Sequence, residues 1–312
     1  MSIPRIWSDR LAVPAIAAPM TAVSGPDLVI AACNAGVIGA FPTHNAQSCD
    51  ELDGWLGRIS QALAPTAAPA AANLIVHRSN RRLDDDLRAL QRHRIELVIT
   101  SVGSPEPVVG PLHEAGAQVY ADVASMAHAR RALAAGVDGL VLLTAGAGGQ
   151  TGWANPFAFV RAVRQEYAGP LVLAGGITDG RSILAAKALG VDLAYLGTRF
   201  IATHESMADD AYKQALVASS LDNVRLSDSV GGIPASLLDC WVERAGPDDE
   251  VVGRAASGGF DQQRLLSNGT AWSAGHSVSC VSAVTSVAEL ATSLSDQYEK
   301  ARSELTHLVI HG

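Results

Sequence analysis

Eight short apolar runs, each followed by a stretch with helical periodicity, constrain this chain more than any other feature. The runs fall at 13–17, 36–41, 71–76, 96–101, 117–123, 138–143, 170–175 and 193–198. Helical stretches at 26–35, 48–62, 81–93, 105–115, 125–135, 156–167, 179–189 and 205–218 separate or follow them. This alternation implies parallel strands joined by crossover helices. Several runs are apolar throughout, as expected for strands buried on both faces. Gly116, Gly136 and Gly190 stand where helices must stop before the next strand. The expected fold is α/β, a closed (β/α)8 barrel, with a doubly wound open sheet as the runner-up.

The rhythm ends near residue 218. Residues 219–275 are rich in Ser, Gly, Asp and Pro and show no strand–helix period. They are expected to form an insertion over the barrel mouth, with 1–218 and 276–312 making the barrel itself. An amphipathic helix over 283–304 carries Val284, Val287, Leu290, Leu294 and Tyr298 on one face and should pack back on the barrel.

Composition narrows the functional classes. Apolar residues make up 48% of the chain and charged residues 17%, which fits a large core and excludes a disordered chain. The net charge of −8 argues against a nucleic-acid partner. The one basic cluster, Arg78–Arg82, is followed at once by Asp84–Asp86 and reads as a solvated helix start. Cys33, Cys49, Cys240 and Cys280 have neither CxxC nor zinc-ligand spacing, so reduced, mostly buried thiols and no metal are expected. Neither a signal-peptide core nor an apolar membrane span is seen, which makes the cytoplasm the expected compartment.

In such a barrel the loops after the strands carry function. Gly175-Gly176 and Gly197-Thr198 end consecutive strands at matching positions. Glycines there let backbone amides approach an anion, and a following helix N-terminus adds a favourable dipole. A single pair is as readily a tight turn as an anion site, whereas two adjacent pairs at matching positions favour a phosphate site. The loop Gly146-Ala147-Gly148-Gly149-Gln150-Thr151-Gly152 lacks the third glycine of a dinucleotide fingerprint and suits the face of a flat cofactor better. Ala18-Pro19-Met20 forms a proline-fixed strand exit. Asn73 is a polar residue in an apolar run, so it either satisfies backbone locally or meets a cofactor. Among the histidines, His44, His77 and His276 follow strands or lie in the late loop. His93, His113, His128, His204 and His307 lie on or beside helices and are set aside. HExxH, GxSxG and Walker sequences are absent, which leaves metalloprotease, serine hydrolase and NTPase readings without support.

Taken together, APM at 18–20, Asn73, GAGGQTG at 146–152, AGGITDGR at 174–181, YLGTRF at 195–200 and WSAGHSV at 272–278 resemble the nitronate monooxygenase family. The resemblance spans nearly the whole chain and extends to related FMN barrels, including flavin enoyl reductases and an NAD(P)H:quinone reductase. It implies FMN, with phosphate held by Gly175, Gly176, Gly197 and Thr198. It also implies Ala18, Pro19, Met20, Asn73 and Asp122 at the flavin, with Gly148 and Gly149 approaching as backbone. The family usually places a catalytic histidine after the double glycine, where this chain has Gln150. Glutamine can hydrogen-bond but cannot take a proton near neutral pH. Two further departures are Leu143, where the family often has glutamine, and His276, where a glutamine is usual in the late loop. His276, or else His44 or His77, is therefore the expected source of an acid/base or substrate-orienting group. The implied reaction oxidises a nitronate to a carbonyl and nitrite with O2, on a small-molecule substrate, with a homodimer as the candidate assembly. Two alternatives stay open: an NAD(P)H-dependent FMN reductase acting on a quinone or enoyl-type acceptor, and a flavin-binding homologue without that chemistry. A phosphosugar-type barrel without flavin would share the two glycine pairs.

Overall fold

The computed structural model describes residues 3–228, 230, 232–245, 260, 262, 265 and 270–311. Eight parallel strands close into a barrel: β1 (Ala15–Ala17), β2 (Ile38–Pro42), β3 (Ala70–Ile75), β4 (Leu97–Ser101), β5 (Gln118–Val123), β6 (Gly139–Leu143), β8 (Leu171–Ala174) and β9 (Leu193–Leu196). Closure comes from β9 pairing with β1, where Ile16 lies opposite Tyr195. All eight apolar runs are therefore barrel strands, and the open-sheet alternative is excluded.

The helices form where capping chemistry allows. Ser48 caps the helix at Cys49–Ala62 and Ser125 caps the one at Met126–Ala134, each accepting a backbone amide from the first turn. Asn155 caps a helix that begins with Pro156, a residue whose missing N–H costs nothing at that position. Gly116, Gly136 and Gly190 have φ of +87°, +88° and +105°, so the three stop signals are left-handed turns. The stretch expected as a helix over 205–218 begins only at Asp210, because Asp209 caps it by accepting the Tyr212 amide.

Inside the barrel, Ile16, Ile38, Leu97, Ile99, Tyr120, Val141, Val172 and Leu193 fill the lower layers. Tyr120 is the largest of these, and Gly139 on the neighbouring strand makes room for it: a Cβ there would lie 2.7 Å from its ring. Trp7, on the short helix Arg5–Ser8, plugs the bottom against Tyr120, with ring centroids 6.3 Å apart. The long C-terminal helix, Val287–His311, packs against the helix at Gly180–Leu189 through Leu290, Leu294 and Tyr298. Its start lies slightly after the expected one.

A small antiparallel sheet lies over the strand ends. β7 (Gly149–Gln150) pairs with β11 (Ala235–Leu238), which pairs with β10 (Val224–Ser227). The late segment thus joins the barrel by adding strands to the glycine-rich loop. The thiols correct one expectation: Cys33 alone is buried, Cys49 and Cys240 are half-buried, and Cys280 is exposed at the end of a short turn. Burial pushes the Cys33 thiol up to about 12.

Candidate active site

A cavity of about 1360 Å3, counted to its open mouth, occupies the C-terminal end of the barrel. Each strand contributes its last inward-facing residue or the turn that follows it, which is why period-two reasoning finds most of the wall. Ala18, Pro19, Met20, Asn73, Asp122, Gly148, Gly149, Gly175, Gly176, Gly197, Thr198, Gln150 and His44 all line this space.

Two neighbouring glycine turns border the wall. Gly175 and Gly176 have φ of +131° and +68°, conformations that favour glycine. A Cβ on Gly175 would come within 2.3 Å of Thr144 Oγ1, whereas one on Gly176 would meet no atom within 4 Å. The first glycine is thus required by packing, and the second faces open space. On the next strand, Gly197 precedes the short helix Thr198–Ile201. The amides of Thr198 and Arg199 are its first two, without intrahelical partners by position. Arg199 bridges the turns by donating to the Thr178 carbonyl at 3.0 Å.

One part of the expected phosphate site is corrected. The helix after the double glycine does not offer its N-terminus, because Asp179 and Ser182 form a reciprocal capping box there. Gly180, its first residue, instead donates to Gln297 of the C-terminal helix at 3.1 Å.

The floor is polar. Asn73 meets the expectation that it satisfies backbone: it donates to the Ile99 carbonyl at 3.1 Å, accepts from Ser101 at 3.2 Å and also lines the cavity. Asp122 Oδ1 and Tyr195 Oη, by contrast, are buried without any hydrogen-bond partner. Burial alone raises the Asp122 carboxyl to about 7. Burial, with the Asp122 charge adding to it, holds the Tyr195 phenol well above its usual range. Buried polar atoms rarely stay unpaired, so these two match a ligand that supplies the missing partners. Tyr195, which entered only within the YLGTRF motif, Ser101 and Thr144 were given no site role in the sequence. The first two could have been found by stepping two residues along a strand from Gly197 or Ile99.

The histidines separate. His44 lines the cavity, and its Nε2 lies 3.0 Å from Thr21 Oγ1 while Nδ1 is buried without a partner. Burial, followed by the Arg82 charge, lowers its pKa to about 4, so it is neutral at physiological pH. His77 is not among the lining residues; it contacts Ser79 at 2.8 Å and packs edge-on to Phe260. His276 is exposed and also stands outside the lining, with its amide donating to the Gly146 carbonyl at 2.9 Å. The expectation that His276 or His77 reaches the reacting centre is not met by this geometry. Loop packing is the reason: a Cβ on Gly146 would lie 2.9 Å from the His276 ring, and one on Gly148 would lie 2.6 Å from the Gly275 amide. These glycines let two backbone segments touch, in addition to bordering the cavity.

Among the described residues there is no cluster of three metal-ligating side chains, and no helix is long and apolar enough to cross a membrane. The barrel mouth thus combines two adjacent glycine turns with a polar floor that has unpaired atoms.

Comparison with known proteins narrows the class. The family model described as nitronate monooxygenase matches residues 7–296, and the chain belongs to that family of oxidoreductases. Flavoenzymes are general in this family. The nitronate monooxygenase of Paraburkholderia phytofirmans is 29% identical over 276 residues, covering 74% of this chain and 74% of that protein. A Mycobacterium tuberculosis relative named (3aS,4S,5R,7aS)-5-hydroxy-7a-methyl-1-oxo-octahydro-1H-indene-4-carboxyl-CoA dehydrogenase is 28% identical over 228 residues, which cover 72% of this chain but only 62% of that protein. FabK from Thermotoga maritima shares the fold with a TM-score of 0.81 at 23% identity, covering 99% of this chain and 100% of that one. A nitroalkane oxidase from Streptomyces ansochromogenes does so with a TM-score of 0.80 at 24% identity, covering 96% and 99%.

Proposed function

We propose that the chain is an FMN-dependent oxidoreductase that converts a nitronate anion to a carbonyl compound and nitrite, with O2 as co-substrate. The observation that carries this reading is the pairing of the open left-handed turn at Gly176 with the unpaired floor atoms of Asp122 and Tyr195. In this reading Gly175, Gly176, Gly197 and Thr198 hold the phosphate by backbone amides. Met20, Asn73 and the Gly148–Gly149 backbone bound the ring. FMN would supply the electron-accepting centre, chemistry that no side chain here provides.

The chain's own groups then bind and orient the substrate. Gln150, held in β7 opposite Ala235, presents an amide that donates to the nitro oxygens. It takes no proton, so the substrate enters already deprotonated. His44 is neutral above about pH 4 and orients through its ring nitrogens rather than through charge.

The reductase alternative gains from the dehydrogenase relative, whose name specifies a CoA thioester. Against it, the described lining residues include no Lys or Arg to meet a coenzyme's phosphates. Anaerobic mixing separates the two. Bleaching of the flavin absorption by a nitronate alone is expected. Bleaching only by NADH or NADPH would replace this reading with the reductase.

A further inference from the structure

Among the described residues the cavity lining holds one carboxyl, Asp122, and its Oδ1 has no hydrogen-bond partner. Asp122 is the penultimate residue of β5 and lies two residues beyond Tyr120, so its side chain continues the inward-facing row of that strand. Its Oδ1 is buried without a donor or acceptor, and the residue lines the same cavity as Gly176 and Thr198. The residue is half-buried against the cavity, and an ionised carboxylate with one oxygen buried and unpaired is costly unless it becomes neutral. A neutral carboxyl, unlike a carboxylate, has a hydrogen to donate.

We infer that Asp122 is a proton-holding positioning residue of the cofactor site, whose neutral carboxyl donates a hydrogen bond to an acceptor atom on the edge of the bound ring. This rests on the FMN reading. Cofactor binding and proton uptake are then linked at one residue. The surroundings support the assignment. Burial places the Asp122 carboxyl near 7, inside the working pH range. Tyr195, which faces the cavity from β9, has its phenol raised far above that range. Tyr120 below it and Tyr212 from the helix Asp210–Ala218 are also raised by burial, and His44 is lowered to about 4. None of these changes charge between pH 7 and pH 9, and Asn73 and Ser101 do not titrate. The described lining residues contain no lysine or arginine to hold Asp122 ionised.

The test is titration of the cofactor-free protein with FMN between pH 7 and pH 9, where the FMN phosphate is already ionised. The dissociation constant should rise by up to about tenfold per pH unit. Calorimetry in buffers of different ionisation enthalpy at pH 8 should show uptake of most of one proton per FMN bound. Asp122→Asn keeps a donor and removes the titration, so its affinity should be level across this range, with no proton uptake. Asp122→Leu lacks the donor and should bind weakly at every pH. Because Asp122 Oδ1 has no hydrogen-bond partner among the described residues, neither substitution strands one there. Equal wild-type affinity at pH 7 and pH 9 without proton uptake would overturn the role of Asp122 and leave the cofactor reading standing. Absence of FMN binding at every pH would overturn both.

Discussion

Thr198 Oγ1 accepts the amide hydrogen of Gly275 at 2.9 Å, which fastens the turn after the eighth barrel strand to the loop that leads into the C-terminal helix. The bond is buried, so removing its acceptor leaves an amide unsatisfied at a cost of about 1–3 kcal/mol. Thr198→Val should lower the melting temperature and weaken FMN binding at least tenfold, since the same residue borders the proposed phosphate site. Thr198→Ser, which keeps the oxygen, should restore both. Thermal melts and an FMN titration of the two variants check this, and a valine variant that binds like the wild type would refute it.

The double glycine separates stability from binding. At Gly175 a methyl group would strike Thr144 Oγ1, which is itself held by the Ala174 carbonyl at 2.7 Å. At Gly176 the methyl meets nothing, and the left-handed backbone costs roughly 1–2 kcal/mol. Gly175→Ala should therefore destabilise the fold more than Gly176→Ala does. Gly176→Ala should stay folded yet lose FMN affinity by about tenfold or more, because its methyl enters the phosphate space. Equal melting curves for the two variants would contradict the packing account.

Gln150 offers a gain-of-function test. Its place in β7 and in the cavity lining puts a side chain over the proposed ring. Gln150→His would introduce a group able to take a proton near neutral pH, and general bases contribute about 10²–10⁴-fold. Turnover of neutral nitroalkane relative to the matching nitronate should rise by at least about tenfold. An unchanged ratio would mean that position 150 does not face the reacting carbon.

The barrel was legible because both faces of its strands are buried and its helices carry their own punctuation in Gly116, Gly136 and Gly190. Asn73 could be singled out as a polar residue in an apolar run, Asp122 came only with the family resemblance, and both line the cavity wall. Other features depended on contacts that local pattern does not encode. β7 is two residues long, and it becomes a strand only because Ala235 and Ser236 arrive to pair with it. Gly146 and Gly148 look like a cofactor cradle in sequence, yet much of their need for glycine comes from the 274–276 segment more than a hundred residues away. That same contact turns His276 outward. The capping box of Asp179 and Ser182 was readable from their spacing, and it shows that the helix dipole expected at the phosphate site is already engaged by protein.

The central claim is that the turns at Gly175-Gly176 and Gly197-Thr198 grip the phosphate of a flavin. Its most direct test is the visible spectrum of the purified protein, before and after added FMN and gel filtration. Bound oxidised flavin should be retained at about one per chain, and riboflavin, which lacks the phosphate, should be retained far less. A colourless protein that releases all added FMN, or one that holds riboflavin equally well, would contradict the account.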